Sequence, residues 1–232
     1  MVTLFLICQL LSPEKVGTYI SNMTKASRMR NMDSLQFYYR ELRKAATPPG
    51  RNFLKTYANG LAIFLMITSD SLYAKEQYID SAIYFMEECT KLNPDFSDAW
   101  AVLGSLYGMK AIKNLTQLAY WGKKSNDAFQ KAKSLDTQNP RTYYLEGISL
   151  FFRPKAVGGG INKAQKNFKK ALELYLKEKN PLSWGYLECK AFLGFSYEKA
   201  NMKEEALKIY DEILKEDPDY EWVKRARKNL TN

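Results

Sequence analysis

Four stretches of this chain carry residues whose types and spacing could do chemistry. The most unusual is the loop Pro154 to Gly160, PKAVGGG, with Asn162 and Lys163 just beyond it at a helix start. Successive glycines can aim backbone N–H groups at one point and cradle an anion. A phosphate-binding loop also needs a strand before it and a G-K-[ST] ending. Here a helical stretch comes first and the ending is missing. The loop is therefore expected to be a hairpin connection that needs positive φ and close contact with its neighbours. Anion binding at Gly158 to Gly160 is the alternative. The tract KAQKNFKK sets Lys163, Lys166, Lys169 and Lys170 mostly along one helix side. It could meet an acidic partner or a phosphate backbone, and is expected to be the solvated back of a helix. Trp121 in AYWGKK and Trp184 in PLSWGY stand in Trp-Gly pairs at expected turns between helices. Packing over helix ends is the expected use, and aromatic contact with a partner the alternative.

None of these residues assembles into reaction chemistry. The chain has no histidine, which removes the commonest general base, metal ligand and proton switch. Cys8, Cys89 and Cys189 are odd in number and far apart, so neither a zinc site nor a disulfide framework is indicated. Cys89 and Cys189 fall in helical stretches and are expected to be small buried hydrophobes. Carboxylates pair as Glu87-Glu88 and Glu204-Glu205 on ordinary polar helix faces. No nucleophile stands beside a base, and no ligand cluster has metal spacing. The expectation is a protein that is not an enzyme and uses no cofactor or metal.

A chain of 232 residues allows one or two domains with a real core. Its 46% hydrophobic and 26% charged residues make a globular composition and not a disordered one. Lys plus Arg number 35 against 25 Asp plus Glu, a formal charge of +10. Such a surplus can mark a polyanionic partner. Here the basic residues are interleaved with acids throughout, so solubility is the expected role and nucleic acid is not the expected partner. The opening run MVTLFLICQLLS has the length of a signal-peptide apolar region and is too short to span a bilayer. It lacks a basic start. Residues 1–12 are read as a signal peptide, which places the protein in the periplasm or outside the cell. The alternative is the apolar first turn of a cytoplasmic helix. No transmembrane span is expected.

The elements that would position these residues repeat. AIYFMEECTKLNP (Ala82 to Pro94), AFQKAKSLDTQNP (Ala128 to Pro140), AQKNFKKALEL (Ala164 to Leu174) and EALKIYDEILKEDP (Glu205 to Pro218) each space small or apolar residues three or four apart. Most stop at Pro, as second helices of helical hairpins would. First helices recur too: DAWAVLGSLYG carries Trp100, Leu103, Gly104 and Tyr107, and a later unit has Leu193, Gly194, Tyr197, Ala206, Tyr210 and Pro218. This resembles the tetratricopeptide-repeat (TPR) consensus, W-x2-L-G-x2-Y … A-x3-F … P. Gly104, Gly147 and Gly194 are expected where the two helices of a pair cross, faced by Ala164 and Ala206 from the second helix. The stretch KAIKNLTQLAYWGKK is extra length, expected to lengthen a hairpin connection.

The expected fold is all-α: a TPR-like α-solenoid. Two helices fall in residues 13–50, about four hairpins in 51–219 and a basic capping helix in 220–232. Ser12 to Lys25 and Asp33 to Ala46 are the early helices, the second capped by Asp33 or Ser34. Asn52 to Ser69 is apolar all round and expected to be buried. In the cap, Trp222 and Val223 are expected to cover the last repeat. NPRTYYLEGISLFF, RPKAVGGG and P-L-S-W-G together resemble a set of secreted TPR proteins from the Bacteroidetes group. That resemblance implies fold and export, and no activity.

TPR groove positions, carried over from the family, give Ala101, Ser105, Met109, Arg141, Tyr144, Ile148, Phe151, Glu188, Ala191, Phe195 and Glu198, with Tyr57 and Leu61 in the first unit. The surface is aromatic and apolar with one cation. It lacks the Lys and Arg run of carboxylate-clamp grooves. The leading expectation is a scaffold or adaptor that binds a protein or peptide there. A polyanion binder is one alternative. The other is an accessory subunit holding a small ligand, which a closed apolar pocket near Tyr144 would favour.

Overall fold

The computed structural model describes residues 11–47 and 50–231. Eleven α-helices and no strand occur among the described residues. Helix α1 (Pro13–Arg28) begins where the Ser12 side chain accepts the Lys15 amide and Pro13 presets the first turn. Arg30, with φ of 53°, reverses the chain into α2 (Met32–Lys44). Both helices pack on α3 (Asn52–Ser69). That explains the all-round apolarity of α3, since α4 (Glu76–Leu92) covers the face they leave.

From α3 onward the helices pair. α3 packs with α4, α5 (Ser97–Lys113) with α6 (Leu118–Leu135), and α7 (Pro140–Phe152) with α8 (Ile161–Tyr175). α9 (Tyr186–Lys199) packs with α10 (Lys203–Glu216), and α11 (Glu221–Thr231) lies against α10. Each pair crosses at a glycine. A Cβ on Gly60 would sit 2.9 Å from Met86, on Gly104 2.9 Å from Phe129, on Gly147 2.5 Å from Phe168 and on Gly194 2.7 Å from Tyr210. The nearest neighbour is thus the large side chain one turn beyond Ser125, Ala164 or Ala206, and not the small residue itself. A flat ring seats on the bare glycine, and the small residue lets the helices close around it. Ser125 adds a bond, donating to the Gly104 carbonyl at 2.7 Å.

Several sequence expectations need correction. α1 runs on to Arg28. Asn31 caps α2, since its side-chain oxygen accepts the Ser34 amide at 3.0 Å; Asp33 and Ser34 lie inside the helix. The extra residues after Gly104 lengthen α5 and α6 themselves, and only residues 114–117 connect them. Trp121 therefore lies within α6 and not at a turn. Its ring packs against Tyr107 beneath the Lys110 ammonium. Residues 1–10, with Cys8 and most of the segment read as a signal peptide, lie outside the described residues. Leu11 is buried, its amide donates to Ala46, and Ser12 caps α1. Cys89 and Cys189 are buried free thiols, and burial pushes the Cys89 thiol up to about 12. No described helix is long and apolar enough to cross a membrane.

The glycine loop is a steric device. Gly158 and Gly160 have φ of 91° and 141°, and Gly159 presses on the Arg153 carbonyl so closely that no side chain fits. The three glycine amides donate to Lys155, Pro154 and Leu150 carbonyls. They are used within the loop, so no nest points outward.

Candidate functional site

The first helices of the four hairpins share the concave side. Phe64 and Leu65 come from α3, Ser105 and Met109 from α5, Tyr144 and Ile148 from α7, and Phe192 and Phe195 from α9. Together they line a cavity of about 930 Å³. Both ends of the chain complete it. Arg28 and Arg30 reach in from the α1 terminus, and Tyr220 and Trp222 from the start of α11. Trp222 packs on Phe192 and Phe195 at ring separations of 5.3 and 5.8 Å. The capping helix thus contributes cavity wall, while its Val223 covers the last repeat.

Trp184 reaches the cavity from the long connection after α8. Gly185 allows this with φ of 95°; a Cβ there would strike the Tyr175 hydroxyl and the Tyr144 ring. The indole N–H donates to the Tyr57 hydroxyl at 2.7 Å, and the ring stands edge-on to Phe64 and Tyr144. Burial raises the Tyr144 and Tyr220 phenols well above their ordinary range, so both stay neutral.

Of the residues singled out in the sequence, Ser105, Met109, Tyr144, Ile148, Glu188 and Phe195 line this cavity. Tyr57, Leu61, Ala101 and Ala191 are fully buried behind it. Phe151 stacks on Phe195 from outside the lining, and Glu198 accepts from Tyr210. Arg141, expected as the groove cation, is 2% exposed and bonded to Asp98 and Glu178. The cations on the cavity are instead Arg28, Arg30, Lys123 and Arg153. Sequence reasoning missed the contributions of α1 and α11, because periodicity reports a helix's own faces and not which distant helix it meets.

Arg28 closes the solenoid on itself. Its guanidinium donates to Glu188 at 3.0 Å and to Asp217 at 2.5 Å. Burial opposes its charge, but the pull of Glu188 and the bonds to both carboxylates outweigh that and hold its pKa above the ordinary value. Burial lifts the Glu188 carboxyl above its usual value, with Arg28 pulling the other way. Further up α1, Gly17 abuts the Pro181 carbonyl without room for a side chain. Arg28→Met leaves two largely buried carboxylates facing each other. It is expected to cost about 1–3 kcal/mol, below the range for fully buried pairs because some solvent remains. Hydrogen exchange should rise first in α1; unchanged protection there would mean that the bridge does not hold the helix.

Among the described residues no group of His, Cys, Asp and Glu could hold a metal ion. No family model matches the chain, and no curated protein matches it. Solved structures do. One is a thermophilic TPR protein, TTC0263, from Thermus thermophilus: TM-score 0.64 at 13% identity, covering 91% of this chain and 98% of that one. Another is the HusA haemophore from Porphyromonas gingivalis: TM-score 0.59 at 16% identity, covering 80% and 92%. At these identities the likeness is one of fold, and the fold is that of TPR proteins.

Proposed function

We propose that this chain is a non-catalytic binding protein that encloses an apolar ligand on its concave side. One observation carries the reading: the cavity of about 930 Å³, walled by aromatic and aliphatic side chains and bounded by both ends of the chain. Ligand sites typically span about 300–1,000 Å³ with mostly apolar walls and a few placed polar groups. The cavity has that size and an apolar lining near Tyr144, and it is open on one side; the apolar lining supports a ligand site. Haem is one reasonable probe, since a protein of similar fold is described as a haemophore. With no histidine in the chain, a metalloporphyrin would be held by its faces and its carboxylates and not by imidazole.

A second reading has its own observation. Ile112, Leu118, Phe152 and Val157 line the cavity while remaining 37–54% exposed. An apolar peptide segment would cover this rim more fully than a small molecule. This keeps the scaffold role that the fold suggests.

Titration with haem, protoporphyrin and a solvent-sensitive apolar dye tests the proposal, beside native mass spectrometry of gently purified protein. Met109→Arg places a charge on the apolar wall and is expected to weaken binding at least about tenfold, with a far-ultraviolet spectrum unchanged. If every probe binds the variant as it binds wild type, the cavity is not the site.

A further inference from the structure

Arg153 is a cavity cation whose backbone is held by the glycine loop. It follows the last residue of α7, and its backbone amide donates to Ser149. Its carbonyl and Cβ lie against Gly159, where only glycine fits. The Gly160 amide, bonded to the Leu150 carbonyl at 2.9 Å, locks the loop onto the end of α7. The three glycines thus clamp one arginine backbone in place. Its side chain lines the cavity together with Ile148, Phe152, Pro154 and Val157.

The guanidinium has little to neutralise it. It donates to the Ser149 hydroxyl at 3.0 Å. Among the described residues no carboxylate forms an ion pair with it; Glu146, which it feels electrostatically, pairs with Lys133 at 2.6 Å. Burial lowers its pKa, with Glu146 opposing. Arg28 has two carboxylates and Lys123 has Asp127; Arg30 also lacks an ion pair among the described residues, but it is exposed to solvent, whereas Arg153 is half-buried. A half-buried arginine on an apolar wall ordinarily has an anion to meet, because its fork matches carboxylate and phosphate.

We propose that Arg153 is the anion anchor of the cavity, and that the ligand is an amphipathic anion with its apolar body among the aromatic rings and its carboxylate or phosphate at Arg153. This rests on the reading that the cavity holds a ligand, and it gives the glycine loop its purpose: positioning the anchor.

The test uses the full chain and matched probes: palmitate, hexadecyl phosphate and methyl palmitate, with protoporphyrin IX and its dimethyl ester as a second set. Wild type is expected to prefer the anions to the esters. Arg153→Gln should weaken the anions about 10–100-fold and leave the esters unchanged, while Arg153→Lys keeps most of the preference. Equal affinity for anion and ester in wild type, or a preference that survives Arg153→Gln, overturns the anchor and leaves the cavity reading standing. If neither anion nor ester binds, the cavity reading itself fails. A preference for palmitate over the phosphate, or the reverse, names the head group and supports the proposal either way.

Discussion

Arg141→Met is expected to lower the unfolding free energy by about 3–5 kcal/mol, the usual cost of breaking a buried ion pair from one side. Arg141 opens α7, with only 2% of its side chain exposed. Its Nε donates to Asp98 in the first turn of α5 at 2.8 Å, and its terminal nitrogens bind both Glu178 oxygens at 3.0 and 2.5 Å. Burial opposes the charge, but Asp98 and the bonds to Glu178 raise its pKa well above the ordinary value. Asn139 completes the cluster. Its amide nitrogen donates to Ser97 and Asp98, and its oxygen caps α7 through the Arg141 amide. One arginine therefore joins the starts of two first helices to the connection after α8. Methionine fills the volume but strands Asp98, whose side chain is 4% exposed. The double change Arg141→Met with Asp98→Leu should recover part of the loss, since apolar replacement of a whole pair is far less costly. Denaturant melts of the three proteins decide it. A single variant that melts with wild type would mean that the cluster contributes no net stability.

Gly194→Leu is expected to cost about 1–3 kcal/mol or more through overpacking. The first added carbon already lies 2.7 Å from the Tyr210 ring and 3.1 Å from Ile209, and the remaining three have nowhere to go. Tyr210 is fully buried in the small C-terminal core with Ile213, Tyr220 and Val223. Displacing it should loosen α11 and carry Trp222 off the cavity wall, so ligand binding should fall along with stability. Lys170→Ala, on an exposed helix face, should change stability by no more than about 0.5 kcal/mol. If the leucine variant unfolds at the wild-type midpoint, α9 and α10 do not cross there.

The fold is legible in the sequence because the TPR pattern places its signals where the packing is tightest. Gly104, Gly194 and the rings that follow fix helix type, pairing and register locally. The pair α3 and α4 has the same crossing, but Met86 stands where the other hairpins carry a ring, so its match to the repeat pattern is faint. The site is half legible. Ser105, Met109, Tyr144, Ile148, Glu188 and Phe195 follow from the TPR groove positions that the resemblance implies. Arg141 reads as a groove cation because its neighbours Asp98 and Glu178 lie 43 and 37 residues away, and no periodicity announces them. Arg28, Trp184 and Trp222 reach the cavity through contacts between the chain ends or from an irregular connection. Arg153 is visible in sequence only as a neighbour of the glycine loop. Its role depends on what the loop presses against.

The Arg28 bridge also changes how the molecule comes apart. In an open repeat array each unit touches only its neighbours, so terminal units fray and unfolding travels inward. Here residues 189 positions apart are bonded, and the chain is a ring with a seam. Opening the solenoid at that seam has to break this contact, which couples the end of α1 to α9 and to the residue that follows α10. Closing that seam requires a long-range encounter. Such contacts slow folding even though the entropy of closing a loop grows only logarithmically with its length. Helix α1 still packs chiefly on its neighbours α2 and α3, so the seam to Glu188 and Asp217, and with it that edge of the cavity, is expected to close after those local contacts form.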